Sequence, residues 1–451
     1  MSRNYEIDMK NGPILPRLVT FFVPLMLSSV LQLLFNAVDL MVVGKFAGND
    51  ALASVGATTA LINVFTNLLI GVSLGANVIA ARFIACEDPV GTSKTVHTSI
   101  TVALVLGFGV MGLGLAFART CLGWMGTPDN VIGGATLYMR IYFCGMPFFM
   151  LYNYGAAILR AAGDTRRPLI ILICAGAINA ALNMVLVIRF HLDVAGVAIA
   201  TVFSQLVSSV CIVWCLCTSR QSYRLEFRKL AIDLPILRRI VAVGIPAGLQ
   251  STVINFSNVL LQSSVNSVGS IAMAGYTAAN NMLGFLYASC NAITQACMSF
   301  TSQNIAVRKF DRVKRIIWDC IGLETGVLLL LGTGAYVFGR QLLGIYADDP
   351  AVIERGMEVL RYTTITYFLC GIMDCLPGAM RGMGHSAVPM VLSILGTVGT
   401  RIVWIFGLFP RHRTLSFLFI SYPASWILTV AMQTLCLVYV YQKETRHAPL
   451  S

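Results

Sequence analysis

The sequence predicts an all-α polytopic membrane protein whose twelve transmembrane helices form two six-helix bundles related by a pseudo-two-fold axis. Three observations predict it: too little charge for water, a series of apolar runs of bilayer length, and a second half that repeats the first. Of 451 residues, 57% are hydrophobic and 12% charged, and the mean hydropathy is +0.77. Soluble domains carry about 25% charged residues. A chain with half that share cannot cover its own surface in water. The length, which would otherwise suggest about three soluble domains, is therefore read as membrane spans.

A helix satisfies its own backbone in lipid, and about 20 apolar residues cross the hydrocarbon. The first six runs are 18–43, 51–81, 95–118, 140–159, 168–188 and 194–218. No small-residue cleavage site ends the first after a short apolar stretch, so it reads as a retained helix and not a signal peptide. A basic stretch, 220–239, follows. Residues 240–307 contain no Asp, Glu, Lys or Arg, and at 68 residues they are too long for one span. The Val268-Gly269-Ser270 turn splits them into helices seven and eight. The last four runs are 316–338, 357–380, 387–409 and 414–441. The organisation expected is an N-terminal lobe at 1–219, a cytoplasmic basic linker at 220–239 and a C-terminal lobe at 240–451.

Loop charge orients the chain. With both termini cytoplasmic, inner segments hold 22 Lys and Arg and outer segments hold 9, leaving Arg401 within helix eleven. The net charge of +12 does not mark a nucleic-acid protein, because the basic residues fall in short clusters between apolar runs. The 13 cysteines lie mostly inside those runs and read as packing residues, with neither disulfides nor zinc expected.

The repeat has a constant offset of 221 residues. Leu122-Gly123 meets Leu343-Gly344, and Val131-Ile132 meets Val352-Ile353. Ala53 meets Ala274, Arg140 meets Arg361, Arg160 and Gly163 meet Arg381 and Gly384, and Pro168 meets Pro389. One gap brings Pro24 onto Pro246. Each copy has an even number of helices, so both enter the membrane in the same direction, as in parallel-repeat transporters.

Several segments carry a family resemblance. Gln32, Asn36 and Asp39 lead into Val43-Gly44-Lys45-Phe46-Ala47-Gly48 and Leu52-Ala53-Ser54-Val55-Gly56. Arg160, Gly163, Asp164 and Thr165 close helix four; Gly196-Val197-Ala198-Ile199-Ala200-Thr201 opens helix six; Arg381-Gly382-Met383-Gly384 closes helix ten. Together these resemble the multidrug and toxic compound extrusion (MATE) family over nearly the whole chain. The resemblance implies two lobes around a V-shaped cleft and a secondary antiporter that exports organic cations in exchange for Na⁺ or H⁺, with no other cofactor. It also implies a monomer in a bacterial inner membrane.

Asp39 is the first candidate for cation or proton coupling. A carboxylate in a membrane helix costs about 2.5–3.5 kcal/mol or more and needs a partner, a proton or a cation. The bland reading is an interfacial acid. Gln32 and Asn36 lie on its helix face, either lining a cleft or bonding a neighbouring helix. Asn179 and Asn183 share a face of helix five, where the family often reads Asn-x-x-Leu-Asp. Asn183 replaces that acid; its oxygen can ligate Na⁺, but it cannot take up a proton. Asp39, Asn179 and Asn183 could together hold Na⁺, and no other metal is expected. Thr201 and Asn153 match other polar positions of the family, or else are packing contacts. In the second half, Asp374 either pairs with Arg401 or attracts cations, Glu324 is a further acid, and Asn255 stands where some members carry Glu.

Gly107-x-Gly109-x-x-Gly112 spells a dinucleotide fingerprint, but it lies in an apolar helix with no strand before it, so close helix packing is expected. Gly71 and Gly75 read the same way. A flippase of a lipid-linked precursor is the rival function. It would line its cavity with several basic residues, and Arg401 is the main deep one here. A membrane enzyme is not expected, because none of the five His forms a metal motif.

Overall fold

The computed structural model describes residues 5–446, apart from the side chain of Asn49. Its helices are α1 Ile14–Val42, α2 Asn49–Ala85, α3 Pro89–Trp124, α4 Asp129–Cys144, α5 Met146–Ala161, α6 Arg166–Asn183, α7 Asp193–Thr218, α8 Leu234–Asn266 and α9 Ser270–Ala306. There follow α10 Phe310–Val337, α11 Gly339–Leu343, α12 Pro350–Thr363, α13 Tyr367–Gly382, α14 Ala387–Ser393, α15 Thr400–Val403, α16 Leu415–Phe419 and α17 Ser421–Arg446. Nine segments among the described residues are long and apolar enough to cross a membrane on their own. The long but more polar α9, and the broken rods α4–α5 and α12–α13, complete the twelve.

The breaks correct two expected boundaries. Helix four does not start at Arg140, nor helix ten at Met357; they begin eleven and seven residues earlier, at Asp129 and Pro350. The first half of helix ten is too polar to read as membrane, because α12 carries Glu354, Arg355, Glu358 and Arg361, of which all but Glu358 are exposed. Gly145 ends α4, and Pro147 at the start of α5 has no N–H with which to continue the ladder. The expected turn between helices seven and eight is present at Gly269, with φ +133°.

The duplication is written in the backbone. Helices α2 and α9 begin and end 221 residues apart, as do α5 and α13. Left-handed residues recur at the same offset: Glu87 (φ 55°) with Arg308 (φ 58°), Gly48 (φ 88°) with Gly269, and Gly163 (φ 93°) with Gly384 (φ 88°). At Gly163 glycine is required twice over, since a Cβ there would also meet the Ile7 carbonyl oxygen at 2.5 Å.

Packing divides the chain into two units, Met1–Ile7 with Leu27–Ile245, and Asp8–Met26 with Pro246–Ser451. Helices α1 and α8 each pass from one unit to the other near an internal proline, Pro24 and Pro246. In unit one α5 packs on α2, α3 and α7; in unit two its counterpart α13 packs on α9, α10 and α17. Covered on several sides, α13 is buried at nearly every position. Residues after α7 run back along α3. The Glu226 N–H donates to His97 Nε2 at 3.1 Å and the Asp233 N–H to Thr98 Oγ1 at 3.0 Å. Lys94 lies 3.1 Å from the Asp233 carboxylate and holds that group below the usual carboxylate range.

Close backbone approach explains the Gly71–Gly75 pattern. A methyl on Gly75 would fall onto the Ile240 carbonyl oxygen, and one on Gly244 would sit 2.5 Å from Val72 Cα. Here α2 meets the start of α8 within unit one. Of the fingerprint glycines, only Gly107 packs this way, with Pro147 Cα 2.6 Å from an added Cβ; Gly109 and Gly112 face open space. Backbone cannot rotate aside as a side chain can. Gly244→Ala is therefore expected to cost about 1–3 kcal/mol, read as a lower thermal midpoint in detergent, whereas Gly112→Ala leaves the midpoint in place.

Candidate functional site

Asp39 lies one turn before the end of α1, half-buried in unit one. Asn183, fully buried at the last residue of α6, donates its side-chain N–H to Asp39 Oδ1. The same amide reaches Asn179 Oδ1 at 3.4 Å. Thr201 of α7 also faces the Asp39 carboxyl, while its hydroxyl donates to the Val197 carbonyl at 2.9 Å. The four expected coupling residues thus form one cluster. Among the described residues Asp39 has no ion-pair partner.

Local chemistry opens the helices here. Directly after α1, residues Val43–Ala47 widen into a π turn, and directly after Asn183, Met184–Arg189 do the same. Such wide turns interrupt the regular ladder and are frequent at functional sites. A Cβ on Gly176 would overlap the Phe35 ring, so this glycine lets α6 lie against α1. Asn183 Oδ1 is buried and has no hydrogen-bond partner. A buried acceptor without a donor is an opening for a cation or water.

Two residues at the site carried no signal in the sequence. Tyr138 and Tyr142 of α4 stack at 6.1 Å, and both lie within electrostatic range of Asp39. Tyr142 is beside Gln205 of α7, whose Oε1 would be 2.3 Å from a Cβ at Gly145. A tyrosine in an apolar run reads as core or lipid face, and only the fold brings these two to an acid.

Other candidates do not join the cluster. Gln32, Asn36 and Asn255 are exposed. Asn153 donates to the Phe149 carbonyl of its own helix at 2.8 Å. Asp374 and Glu324 form a separate group in unit two. Cys290 Sγ donates to Asp374 Oδ2 at 3.7 Å. Glu324 is 0% exposed and neither carboxylate oxygen makes a hydrogen bond of ordinary geometry; the Cys290 thiol faces it, and Asp374 and Cys297 are the other titratable neighbours.

The Asp374–Arg401 pair does not form. Arg401 donates to Asn258 Oδ1 at 2.8 Å and lies 4.4 Å over the Tyr422 ring. Asp374 feels Arg381 instead. Arg401 is also not alone in depth. Arg381, in the last turn of α13, is 8% exposed and donates to Gln250 Oε1 at 2.7 Å.

A twice-matching family model decides the identity. The MatE family covers residues 24–185 and again 246–406, one match in each repeat. The chain belongs to the MATE family. Over 435 residues it is 30% identical to the probable multidrug resistance protein YoeA of Bacillus subtilis, covering 93% of this chain and 92% of that one. It is 20% identical to the multidrug export protein MepA of Staphylococcus aureus over 86% of its length. A crystal structure of MATE in complex with MaL6 superposes at a TM-score of 0.91, with 20% identity over 97% of this chain and 98% of that one. An outward-facing multidrug resistance MATE transporter superposes at 0.89 with the same identity and coverage. This MATE protein is a multi-pass membrane transporter.

Proposed function

We propose that the protein is a secondary antiporter that exports organic cations in exchange for inward Na⁺ or H⁺ at Asp39. The observation that carries this is the Asp39 carboxylate, held by Asn183 beside an unpartnered Asn183 Oδ1 and with no Lys or Arg among the described residues to neutralise it. Such an acid attracts a cation or takes up a proton. Its charged form favours a cationic substrate, and its neutralised form releases it. Coupling then requires ion and substrate to prefer different states of the protein, because equal affinity shifts nothing. The names of YoeA and MepA support export of drug-like molecules as the direction of transport. Both termini are cytoplasmic on the loop-charge argument, the inner membrane is the site of action, and the protein works as a monomer.

The test is ethidium transport in proteoliposomes with a Na⁺ gradient and a pH gradient imposed one at a time. One of the two drives ethidium against its gradient and names the coupling ion. Ethidium that only equilibrates under either gradient would overturn the antiport assignment.

A further inference from the structure

Unit two has a cavity of about 760 Å³ at the far end of α10, between α10, α12 and α16. The volume is in the range of small-ligand sites, about 300–1,000 Å³. Counting crossings from the N-terminus, this end of α10 lies on the opposite side of the membrane. Its position along the helix is the membrane boundary. Leu330, Val337 and Phe338 are 75%, 63% and 60% exposed, a surface suited only to acyl chains. Within one turn of Val337 the lining turns polar, with Tyr336 and Arg340.

The charges of the lining do not balance. Arg340 is 2.7 Å from Glu354, and Arg355 is 2.8 Å from Glu358, which also accepts from Ser416 Oγ at 2.5 Å. Arg361 is the third guanidinium of the cavity, and no carboxylate pairs with it among the described residues. One surplus planar guanidinium at a membrane boundary matches one phosphodiester charge, with the fork geometry that phosphate accepts. The exposed apolar flank of α10 continues the site for a tail. A soluble anion would have no use for that flank, and an organic cation would meet Arg361.

We infer that this cavity binds the headgroup of an anionic phospholipid, its phosphate on Arg361 and its acyl chains along α10. The site is separate from the Asp39 cluster, and it requires only that the protein be embedded in a bilayer.

Native mass spectrometry of the full-length protein in detergent tests this, with dioleoylphosphatidylglycerol and dioleoylphosphatidylcholine offered together. One basic side chain at a membrane surface contributes about fivefold in affinity for anionic lipid. Wild type is expected to retain the glycerol lipid roughly fivefold better, and Arg361→Gln to retain the two equally. Because Arg361 is exposed and unpaired, the variant should fold; its thermal midpoint without added lipid checks this. Glu354→Gln releases Arg340 from its ion pair and is expected to raise the preference further, which keeps the idea testable should the first variant fail. A preference unchanged in both variants removes the site. Equal displacement by glycerophosphoglycerol, the headgroup without chains, would show a free-anion site and overturn the lipid assignment.

Discussion

Asp39→Asn is expected to lower the ethidium gradient held by proteoliposomes at least tenfold, with expression and membrane insertion unchanged. The substitution keeps the shape and one acceptor oxygen, so it leaves packing of α1 against α6 intact. It removes the charge and the titratable oxygen together. Tenfold corresponds to about 1.4 kcal/mol of state preference, a modest share of what a desolvated carboxylate contributes. The hydrogen bond from Asn183 gives a companion measurement. Asn183→Ala leaves the acid in place without its donor, so transport should persist with its pH or Na⁺ dependence displaced. Wild-type gradients in Asp39→Asn would remove the acid from the mechanism and, with it, the coupling site in unit one.

The asymmetry between the repeats supports placing coupling in unit one. At the 221-residue offset Asn179, Asn183 and Thr201 correspond to Thr400, Trp404 and Tyr422, and Ala180 corresponds to Arg401. The π turn after Asn183 likewise recurs as Trp404–Leu408. Where unit one presents an acid with amides around it, unit two presents a fixed guanidinium over the Tyr422 ring. A guanidinium at this position repels Na⁺.

Periodicity and duplication made the architecture legible because lipid imposes length and polarity rules residue by residue. The offset that aligns Arg160 with Arg381 in the sequence also aligns the left-handed Gly163 with Gly384. Helix starts were hidden where polar residues sit at or just beyond them, as with Asp129 and Asn130 in α4 and Glu354 and Arg355 in α12. At the site, Asp39 stood out because an acid in an apolar run is costly, and Asn183 because it broke a motif. Tyr138, Tyr142 and Gln205 were silent, since their role depends on which helix faces which. The pairing of Asp374 with Arg401, left open in the sequence as one of two alternatives, depends on side-chain direction in the same way, and Asn258 and the Tyr422 ring claim the guanidinium.

Glu324→Met is expected to stabilise the protein. The Glu324 carboxyl is fully buried, neither oxygen makes a hydrogen bond of ordinary geometry, and its Oε1 would be 2.6 Å from a Cβ at Gly371. A buried polar group left unpaired costs about 1–3 kcal/mol, and methionine, of similar length and without polar oxygens, relieves that cost. The thermal midpoint in detergent should rise by about 2–4 °C per kcal/mol for a unit of this size. Glu324→Gln is the discriminating companion, because it keeps the volume and adds a donor beside Asp374 and Cys290. A midpoint that falls in Glu324→Met would mean the carboxyl is satisfied by water or an ion in the membrane-embedded protein. A midpoint that rises together with lost transport would instead mark an acid kept at the expense of stability, which is the usual reason for a carboxyl inside a membrane helix.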